Sequence, residues 1–417
     1  MAINKRLISI AATLLIFVGL YADNGINSPY SRYGLGLLSD QNLAVNRQMG
    51  GLGYATFSNS YINLLNPAAI AHADTLTMLF EAGFSLQNVN FDEGGTKVNA
   101  HNAAFDYIAM QFRLRKGLGM SIGFLPYSNV GYSFGAKERL SYDNTQIKAT
   151  SSYSGTGGIY QPFIGIGFSP IKDLSFGIMA SYIYGDISHT ISSTFSSANI
   201  DSRVRKYGIE VSNYKLDFGA QYTLPTGKNN SLTIGAVYSL GHDLNADATR
   251  IEQTGSNADT INVSNGFKLP HTIGAGAMYN INDNWKFGID YTFQNWGDTD
   301  FFGDGNKGVN RSKISLGIEH SPNRISRNIL KRMNYRMGAY YAQPYTKVNG
   351  KEGCEEYGAS LGFSIPFTNK YRTSLLHISG QCIRMEPKSS GMIAETYLRI
   401  NIGITFNETW FAKMKVY

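Results

Sequence analysis

The stretch Trp285-Lys-Phe-Gly-Ile-Asp-Tyr-Thr-Phe-Gln-Asn-Trp296 decides the fold. Its odd-numbered positions from Trp285 to Phe293 carry large apolar side chains, whereas its even-numbered positions from Lys286 to Gln294 carry polar or small ones. A repeat of two residues predicts a β-strand with one apolar and one polar face. Charged residues on the polar face, with aromatic residues along the apolar one, are typical of a wall between lipid and a water-lined interior.

The same alternation recurs in the segments 174–184, 214–222, 313–319 and 398–406. A water-soluble β-sandwich alternates too, but several strands carry charges on one face, and the chain has 27 Tyr and 23 Phe. These features, together with an export signal, favour a membrane barrel. Fourteen strand candidates follow Leu76, so the predicted fold is all-β: a 14-stranded antiparallel transmembrane β-barrel with an N-terminal hatch, or plug, inside its lumen.

The 417 residues divide into four predicted parts. Residues 1–22 are predicted to be a cleaved signal peptide, since Lys5 and Arg6 precede an apolar core and a cleavage site follows Ala22. Residues 23–75 do not alternate and are rich in Gly, Asn and Ser, which predicts a plug in the lumen, where irregular backbone is tolerated. The predicted barrel covers 76–406, and 407–417 form a predicted C-terminal periplasmic tail.

The predicted location is the outer membrane of a double-membraned bacterium. Beyond the N-terminus no apolar run reaches the roughly eighteen residues that a helical span needs, yet the exported chain carries lipid-facing strands. Short turns alternate with longer polar loops, and we expect the short turns to face the periplasm. The longer loops are predicted at 92–102, 135–158, 189–202, 241–265, 297–308, 347–353 and 386–391.

One periplasmic connection, 321–334, is longer than the other short turns and carries basic residues without an acidic one. Its basic residues are Arg324, Arg327, Lys331 and Arg332, and Ile325, Ile329 and Leu330 stand near helical spacing. The segment favours a solvated loop that meets lipid headgroups, and the alternative is a docking site for a periplasmic or membrane protein partner.

Residue types that carry catalysis or bind metals are not grouped in the sequence. The seven His residues show no metal-ligand spacing, and neither a nucleophile elbow nor a phosphate-binding loop is present. We therefore expect no catalytic residue, metal or cofactor. The net charge of +7 is spread along the chain rather than gathered into one patch, which argues against a nucleic-acid partner. The residues predicted to line the lumen are Lys286, Asp290, Lys313, Glu319 and Arg399.

The two cysteines permit one disulfide in an oxidising compartment. Cys354 is in phase with the predicted inner face of its strand, and Cys382 is in phase with the outer face of its own. Residues on opposite faces cannot form a disulfide unless a bulge resets the phase, so this parity argues against the bond.

Two local features interrupt the pattern. Asn66, Pro67 and Ala68, at the end of the plug, predict a turn or the start of a short helix. Inside the third strand candidate, Pro126 cannot donate to a β-ladder. It predicts either a bulge that adjusts curvature or an unpaired stretch that opens the wall. The residues of this candidate lateral gate are Pro126, Ser128, Asn129 and Gly131.

Over nearly the whole mature chain, the sequence resembles the FadL-type outer-membrane transport family. The glycine-rich segment 49–55 followed by Asn66-Pro67-Ala68 is similar to the family's hatch motifs, and segments 269–274 and 335–341 match further patterns in order and spacing. The resemblance implies passive uptake of hydrophobic compounds such as long-chain fatty acids. A hydrophobic small molecule and outer-membrane lipids would then be its partners, with a movable hatch and a lateral gate at a kinked third strand.

The opening segment 27–34, Asn-Ser-Pro-Tyr-Ser-Arg-Tyr-Gly, resembles the Bacteroidota versions of this barrel. Related barrels there include accessory subunits of outer-membrane machines, for barrel assembly or for protein secretion. The resemblance therefore leaves a second function open, a scaffold without transport activity. Pro126 and the hatch motif favour transport, whereas the basic connection 321–334 favours protein partners.

Overall fold

The computed structural model describes residues 25–409, except 76, 143–144, 198–199, 245, 264–266, 302–305, 323–325, 349, 370–371 and 390. The predicted signal peptide, 1–22, and residues 410–417 of the predicted tail lie outside this part of the chain. None of the helices within it is long and apolar enough to cross a membrane.

Fourteen antiparallel strands form the wall, because each alternating segment pairs with its neighbours in the chain. They are β1 Thr77–Glu93, β2 Thr96–Arg115, β3 Leu118–Tyr142, β4 Thr145–Ile171, β5 Leu174–Phe195, β6 Arg203–Pro225, β7 Ser231–Ser239, β8 Thr272–Ile281, β9 Trp285–Gln294, β10 Arg311–His320, β11 Asn334–Ala342, β12 Cys354–Asn369, β13 Arg372–Pro387 and β14 Ala394–Thr409. β1 pairs with β14 from Thr77↔Thr409 to Asp92↔Ala394 and closes the barrel. The predicted 14-stranded antiparallel barrel is confirmed.

The two faces of the wall differ as the alternation predicts. On β9, Ile289 is 49% exposed on the outer face, whereas the neighbouring Asp290 is 4% exposed on the inner face. Cys354 of β12 is buried, Cys382 of β13 is exposed, and both are free thiols. Their opposite faces explain why no disulfide forms.

Two of the predicted long loops, 92–102 and 135–158, are wrong because the strands on either side continue through them, and a third, 189–202, begins later than predicted. β1 and β2 are joined by a tight turn at 94–95, β3 and β4 pair up to Tyr142↔Thr145, and β5 extends to Phe195. The segment 241–265 contains a further hairpin, Ala246–Thr254 with Asn257–Val263, whose first strand pairs with residues 203–211 at the start of β6. The last strand also continues to Thr409 rather than ending at 406.

The wall is much taller on one side than on the other. β3 and β4 have 25 and 27 residues, whereas β7 to β11 have 9 or 10. About ten residues suffice to cross a bilayer, so β3 to β6 extend far beyond the membrane at the long-loop end. Two-residue strand pairs join the connections there: His242–Asp243 with Lys268–Leu269, Asp300–Phe301 with Asn306–Lys307, and Lys347–Val348 with Lys351–Glu352.

Residues 25–75, which we call the plug, lie against the inner face of the wall. The plug contains 3-10 helices at Pro29–Arg32 and Pro67–His72, the short helix α1 at Ala44–Gln48 and a two-residue strand, Leu37–Leu38. Its interior position follows from its contacts, since its residues pack against inward-facing residues of most wall strands.

Candidate functional site

The wall is split between β2 and β3. These strands pair only from Ile108↔Phe124 down to Arg115↔Leu118, close to their short-turn ends. Above that point, β2 pairs with β1 and β3 pairs with β4, and no described pairing joins the two strands to each other. The split begins beside a register shift between Pro126 and Ser128. The break that Pro126 predicts in the third strand therefore coincides with an unpaired edge.

The plug occupies the lower part of the β3 edge. Its strand Leu37–Leu38 pairs with Asn129 and Ser128. Just below, the Ser39 N–H donates to the carbonyl of Tyr127 at 2.9 Å, and the Gln41 side chain donates to the carbonyl of Pro126 at 2.9 Å. Further up, the Gly131 N–H donates to Ser31 Oγ at 3.2 Å. Plug residues thus replace β2 as hydrogen-bond partners along this edge.

Membrane depth explains why this part of the edge is covered. Only residues 118–124 of β3 lie below the split. A tilted strand of that length rises roughly 18 Å, less than the apolar band of about 25 Å. An unpaired backbone group at that depth costs several kcal/mol. The plug residues that cap 126–131 remove that cost, and the edge above can be wetted.

A ring of inward-facing glycines holds the rest of the plug. This glycine belt has one member on each of β3 to β12 and on β14: Gly119, Gly167, Gly177, Gly219, Gly235, Gly276, Gly288, Gly317, Gly338, Gly362 and Gly403. A Cβ on any of them would come within 3.0 Å of an atom of residues 44–71. Many are direct partners across strands, as in the run Gly288↔Gly317↔Gly338.

The plug follows this belt once around the interior. Ala44 contacts β14, Met49 contacts β10 and β11, Tyr54 contacts β7 and β8, and Ile70 contacts β3 and β4. The absent glycine side chains let the plug backbone lie directly on the wall, as at Gly235, where a Cβ would lie 1.8 Å from the Tyr54 carbonyl oxygen. Residues 44–71 are therefore packed as part of the wall.

Buried acidic groups add polar ties between plug and wall. The Arg47 guanidinium of α1 lies 2.6 Å from the Asp106 carboxylate of β2, and both side chains are almost fully buried. Glu81 of β1 accepts hydrogen bonds from the backbone N–H groups of Ala44 and Ile62 at 3.4 and 3.2 Å. A buried charge is stable only with such partners, so these contacts fix the position of the plug.

The hatch motif forms another tie. Asn66 Oδ1 accepts a hydrogen bond from the Ala68 N–H at 3.0 Å and caps the 3-10 helix Pro67–His72. Its amide nitrogen donates to the Tyr54 carbonyl at 2.7 Å and to the Ala220 carbonyl of β6 at 3.1 Å. The Asn side chain thus joins the helix start, a second part of the plug and the wall.

The five side chains predicted to line the lumen all face the interior and contact other protein groups, and three of them, Asp290, Lys313 and Arg399, also line a cavity. Lys286 Nζ lies 2.9 Å from Glu319, whose other oxygen lies 2.5 Å from Arg336. Asp290 accepts hydrogen bonds from the backbone N–H groups at 53–54, at 2.6 and 2.9 Å. Lys313 lies 4.3 Å from the centre of the Tyr340 ring.

A cavity of about 470 Å³ remains between the plug and the wall. It reaches the split, where Ala104 of β2 and Phe124 of β3 line it from opposite sides. Its lining combines apolar and aromatic side chains with eight charged residues: Asp40, Arg47, Asp106, Asp290, Arg311, Lys313, Glu356 and Arg399. A hydrocarbon here would strip water from charged groups without replacing their hydrogen bonds, which is unfavourable.

Asp40 is one of the charged residues that line this cavity. Its carboxylate lies 3.4 Å from Arg399. Burial acts to raise the pKa of the Asp40 carboxyl, but the nearby cations, Lys313, Arg399 and Arg47 among them, outweigh it and hold that pKa below its ordinary value. The cavity therefore keeps an ionised acid among several cations near neutral pH.

His72 gives the plug a pH-sensitive end. It stacks on Phe57 with ring centres 3.9 Å apart, and burial lowers its pKa from 6.5 to about 4. The unfolded chain binds the proton more readily, so the stability contributed by neutral His72 is present above about pH 6.5 and is lost as the pH falls towards 4.

We expect the urea midpoint of the wild type to fall more than that of His72→Phe between pH 7 and pH 4.5. Equal losses in both proteins would contradict this role of His72.

The basic connection contains the short helix α2, Ile329–Arg332, capped by the Asn328 side chain. Ile329 and Leu330 are 45% and 59% exposed. Arg324 and Ile325 lie outside the described residues. The described portion thus presents adjacent apolar and basic side chains at the short-turn end of the barrel.

Sequence reasoning missed most of the residues that fix the plug. Arg47, Glu81 and Asp106 carry no motif, and their pairing depends on the register between distant segments. The belt left one trace, glycines recurring in the inward phase of strand after strand. Among the described residues, no group of three or more His, Cys, Asp or Glu side chains could hold a metal ion.

Comparisons with known proteins identify both a family and a fold. A family model described as BamG matches residues 3–417. The solved toluene transporter TodX of Pseudomonas putida is 16% identical, with a TM-score of 0.60, covering 90% of this chain and 100% of that one. A Pseudomonas aeruginosa FadL homologue is 11% identical, with a TM-score of 0.58 and coverages of 91% and 100%.

The toluene transporter TbuX of Ralstonia pickettii is 14% identical, with a TM-score of 0.56 and coverages of 89% and 99%. A search of curated proteins finds no match. At these identities the solved structures establish a shared fold, that of an outer-membrane β-barrel. The compounds named for those proteins are not assigned to this chain by the comparison.

Proposed function

This chain belongs to the BamG family, and we propose that it serves as an accessory subunit of an outer-membrane machine that assembles β-barrel proteins. The observation that carries this proposal is the plug fixed on the glycine belt. Residues 44–71 contact eleven strands through positions where even a methyl group would collide. An interior packed in this way favours a rigid scaffold. A transport channel would require the plug to move out of the lumen each time a compound passed.

Three further features support the scaffold. The cavity beside the plug has eight charged residues in its lining, and a hydrocarbon cargo would remove water from those groups without replacing their hydrogen bonds. The family designation favours barrel assembly over protein secretion. The segment 27–34 resembles Bacteroidota barrels that include such subunits. Transport proteins of the same fold do not contradict this, because one fold supports different functions.

We propose the basic connection 321–334 as a partner contact at the periplasmic end. Exposed apolar residues beside basic ones, as in α2, suit an acidic protein surface with an apolar patch. We expect Arg327→Glu/Lys331→Glu/Arg332→Glu to reduce co-purification of partners in mild detergent at least tenfold. The three glutamates would face the acidic surface of the partner and repel it.

The matched control is Lys97→Glu/Lys206→Glu/Lys351→Glu, which reverses three exposed lysines at the long-loop end. The control variant changes the net charge by the same amount but leaves the connection 321–334 unaltered. Partner recovery with this variant should therefore stay at the wild-type level. Equal recovery with both triple variants would remove the connection as the contact. A barrel recovered without stoichiometric partners from wild-type cells would count against the subunit itself.

A second candidate function is uptake of a hydrophobic compound, and the wall split favours it. The cavity reaches the split between β2 and β3, which gives a lateral exit at membrane depth. In this candidate, plug residues 25–41 are the moving hatch and Pro126 to Gly131 are the gate.

The test of this channel is Pro126→Val. Valine restores an N–H and favours a continuous strand, so it should straighten β3 and reduce uptake of at least one hydrophobic compound severalfold. Uptake would be measured in cells with fatty acids, alkanes and aromatic compounds. Wild-type uptake of all three classes by cells lacking the gene would eliminate the channel.

A further inference from the structure

The upper part of the β3 edge is a free β-strand edge at the long-loop end of the barrel. Gly131 directs its N–H to the split, where Ser31 accepts it. Backbone groups of an antiparallel strand alternate in direction, so Ser133, Gly135 and Lys137 face the same way. These three residues are exposed, and none forms a hydrogen bond on that side with a described residue.

Proteins usually protect such an edge, and residues 132–136 carry none of the usual protections. Natural edges are blunted by proline, by charged side chains, lysine above all, by bulges or by very short length. Residues 132–136 contain neither proline nor a charged residue and continue a strand of 25 residues, and only Lys137, at the upper end of the stretch, is charged. An edge of this kind is a template on which another extended segment can pair.

The chain itself shows that the edge accepts a strand. Leu37 and Leu38 pair with Asn129 and Ser128 in antiparallel register, immediately below the free stretch. The N–H of Ser39 extends that pairing to Tyr127. The plug thus occupies the lower edge as a short added strand, and an incoming strand could extend along the open part or displace this pairing.

We propose that the β3 edge, from Pro126 to Lys137, accepts an amphipathic β-strand segment of an outer-membrane barrel protein by antiparallel strand addition. Plug residues 37–39 hold the lower edge until that strand arrives. The occupant follows from the location. At membrane depth and just above it, the added segment needs one face for lipid and one for the interior, which is the alternation of a barrel strand. The proposal rests on the proposed function and names its client.

The test uses a purified barrel and a defined peptide. The probe is a fluorescent synthetic peptide with the sequence of residues 394–409, an alternating barrel strand, measured by anisotropy in detergent micelles. The control peptide has the same composition with its apolar residues grouped. We expect saturable binding of the first peptide and at least tenfold weaker binding of the second.

Substitutions on the edge make the test specific. Ser133→Pro removes an N–H that faces the split and leaves the pairing with β4 intact, so peptide binding should weaken at least tenfold. Ser133→Ala keeps that N–H and should bind as the wild type does. Ser39→Pro removes the plug's hydrogen bond to Tyr127 and should strengthen binding severalfold, whereas Ser39→Ala keeps that N–H and should strengthen it less.

Several outcomes would overturn the proposal. They are the absence of saturable binding, equal binding of the grouped peptide, or unchanged binding by Ser133→Pro while that variant still migrates as a folded barrel. Unchanged binding by Ser39→Pro would overturn the holding role of the plug. Because the assay needs no partner proteins, its failure is distinguishable from failure of the subunit role, which co-purification measures.

Discussion

Gly338→Ala is expected to destabilise the folded barrel by about 2–3 kcal/mol, the cost of overpacking a rigid contact. A Cβ at this position would lie 2.1 Å from the Met49 carbonyl carbon and 2.4 Å from the Gly50 nitrogen. Both are backbone atoms, so no side chain can rotate away. The plug or β11 must shift, and we expect a lower free energy of unfolding in urea and faster protease cleavage between residues 44 and 71.

Gly380→Ala is the matched control for this substitution. Gly380 lies on β13, and a Cβ there meets nothing within 4 Å. The added methyl group therefore has space, and alanine should leave the stability unchanged or raise it by up to about 1 kcal/mol. Similar losses in both variants would show that glycine is needed for strand geometry rather than for contact with the plug.

Arg47→Met is expected to cost about 3–5 kcal/mol, because it leaves the Asp106 carboxylate buried without its cation. The two groups are 2.6 Å apart, and their side chains are 4% and 11% exposed. Methionine keeps much of the side-chain volume, so the loss reports mainly on charge. The measurement is the free energy of unfolding in detergent micelles.

Two further variants separate charge from packing at this site. Arg47→Met/Asp106→Asn removes both charges and should recover part of the loss. Arg399→Met breaks a longer plug-to-wall pair, 3.4 Å to Asp40, whose side chains are 21% and 20% exposed. Water screens that pair, so its loss should be smaller. If Arg399→Met lowers the free energy of unfolding as much as Arg47→Met does, burial does not determine how strongly these ion pairs stabilise the barrel.

The alternation of Trp285–Gln294 was sufficient to predict a barrel strand, because a period of two depends on neighbouring residues alone. Its place as the ninth of fourteen strands is confirmed. The loop predicted at 135–158 was wrong, and the loop predicted at 189–202 began too early, for a related reason. These segments are rich in Gly, Ser and Thr and lack apolar alternation, yet pairing with a long neighbour keeps them extended outside the membrane, where no apolar face is required.

The candidate site was less predictable than the fold. Pro126 marked the break in β3, since proline cannot donate in a ladder wherever it stands. The pairing of Leu37–Leu38 with that strand could not be foreseen, because two residues carry no pattern. The belt depends on the register of eleven strands, which no single segment encodes. The gate role of Pro126 and the hatch role of the plug remain predictions.

The most direct test of the assembly role is depletion of this protein, followed by quantitative proteomics of the outer membrane. The account predicts that integral β-barrel proteins of unrelated function fall together, severalfold, while lipid-anchored outer-membrane proteins keep their levels. Complementation with Gly380→Ala should restore the barrels fully. Unchanged levels of all other barrels, with only the uptake of a hydrophobic compound lost, would contradict the scaffold and establish the channel.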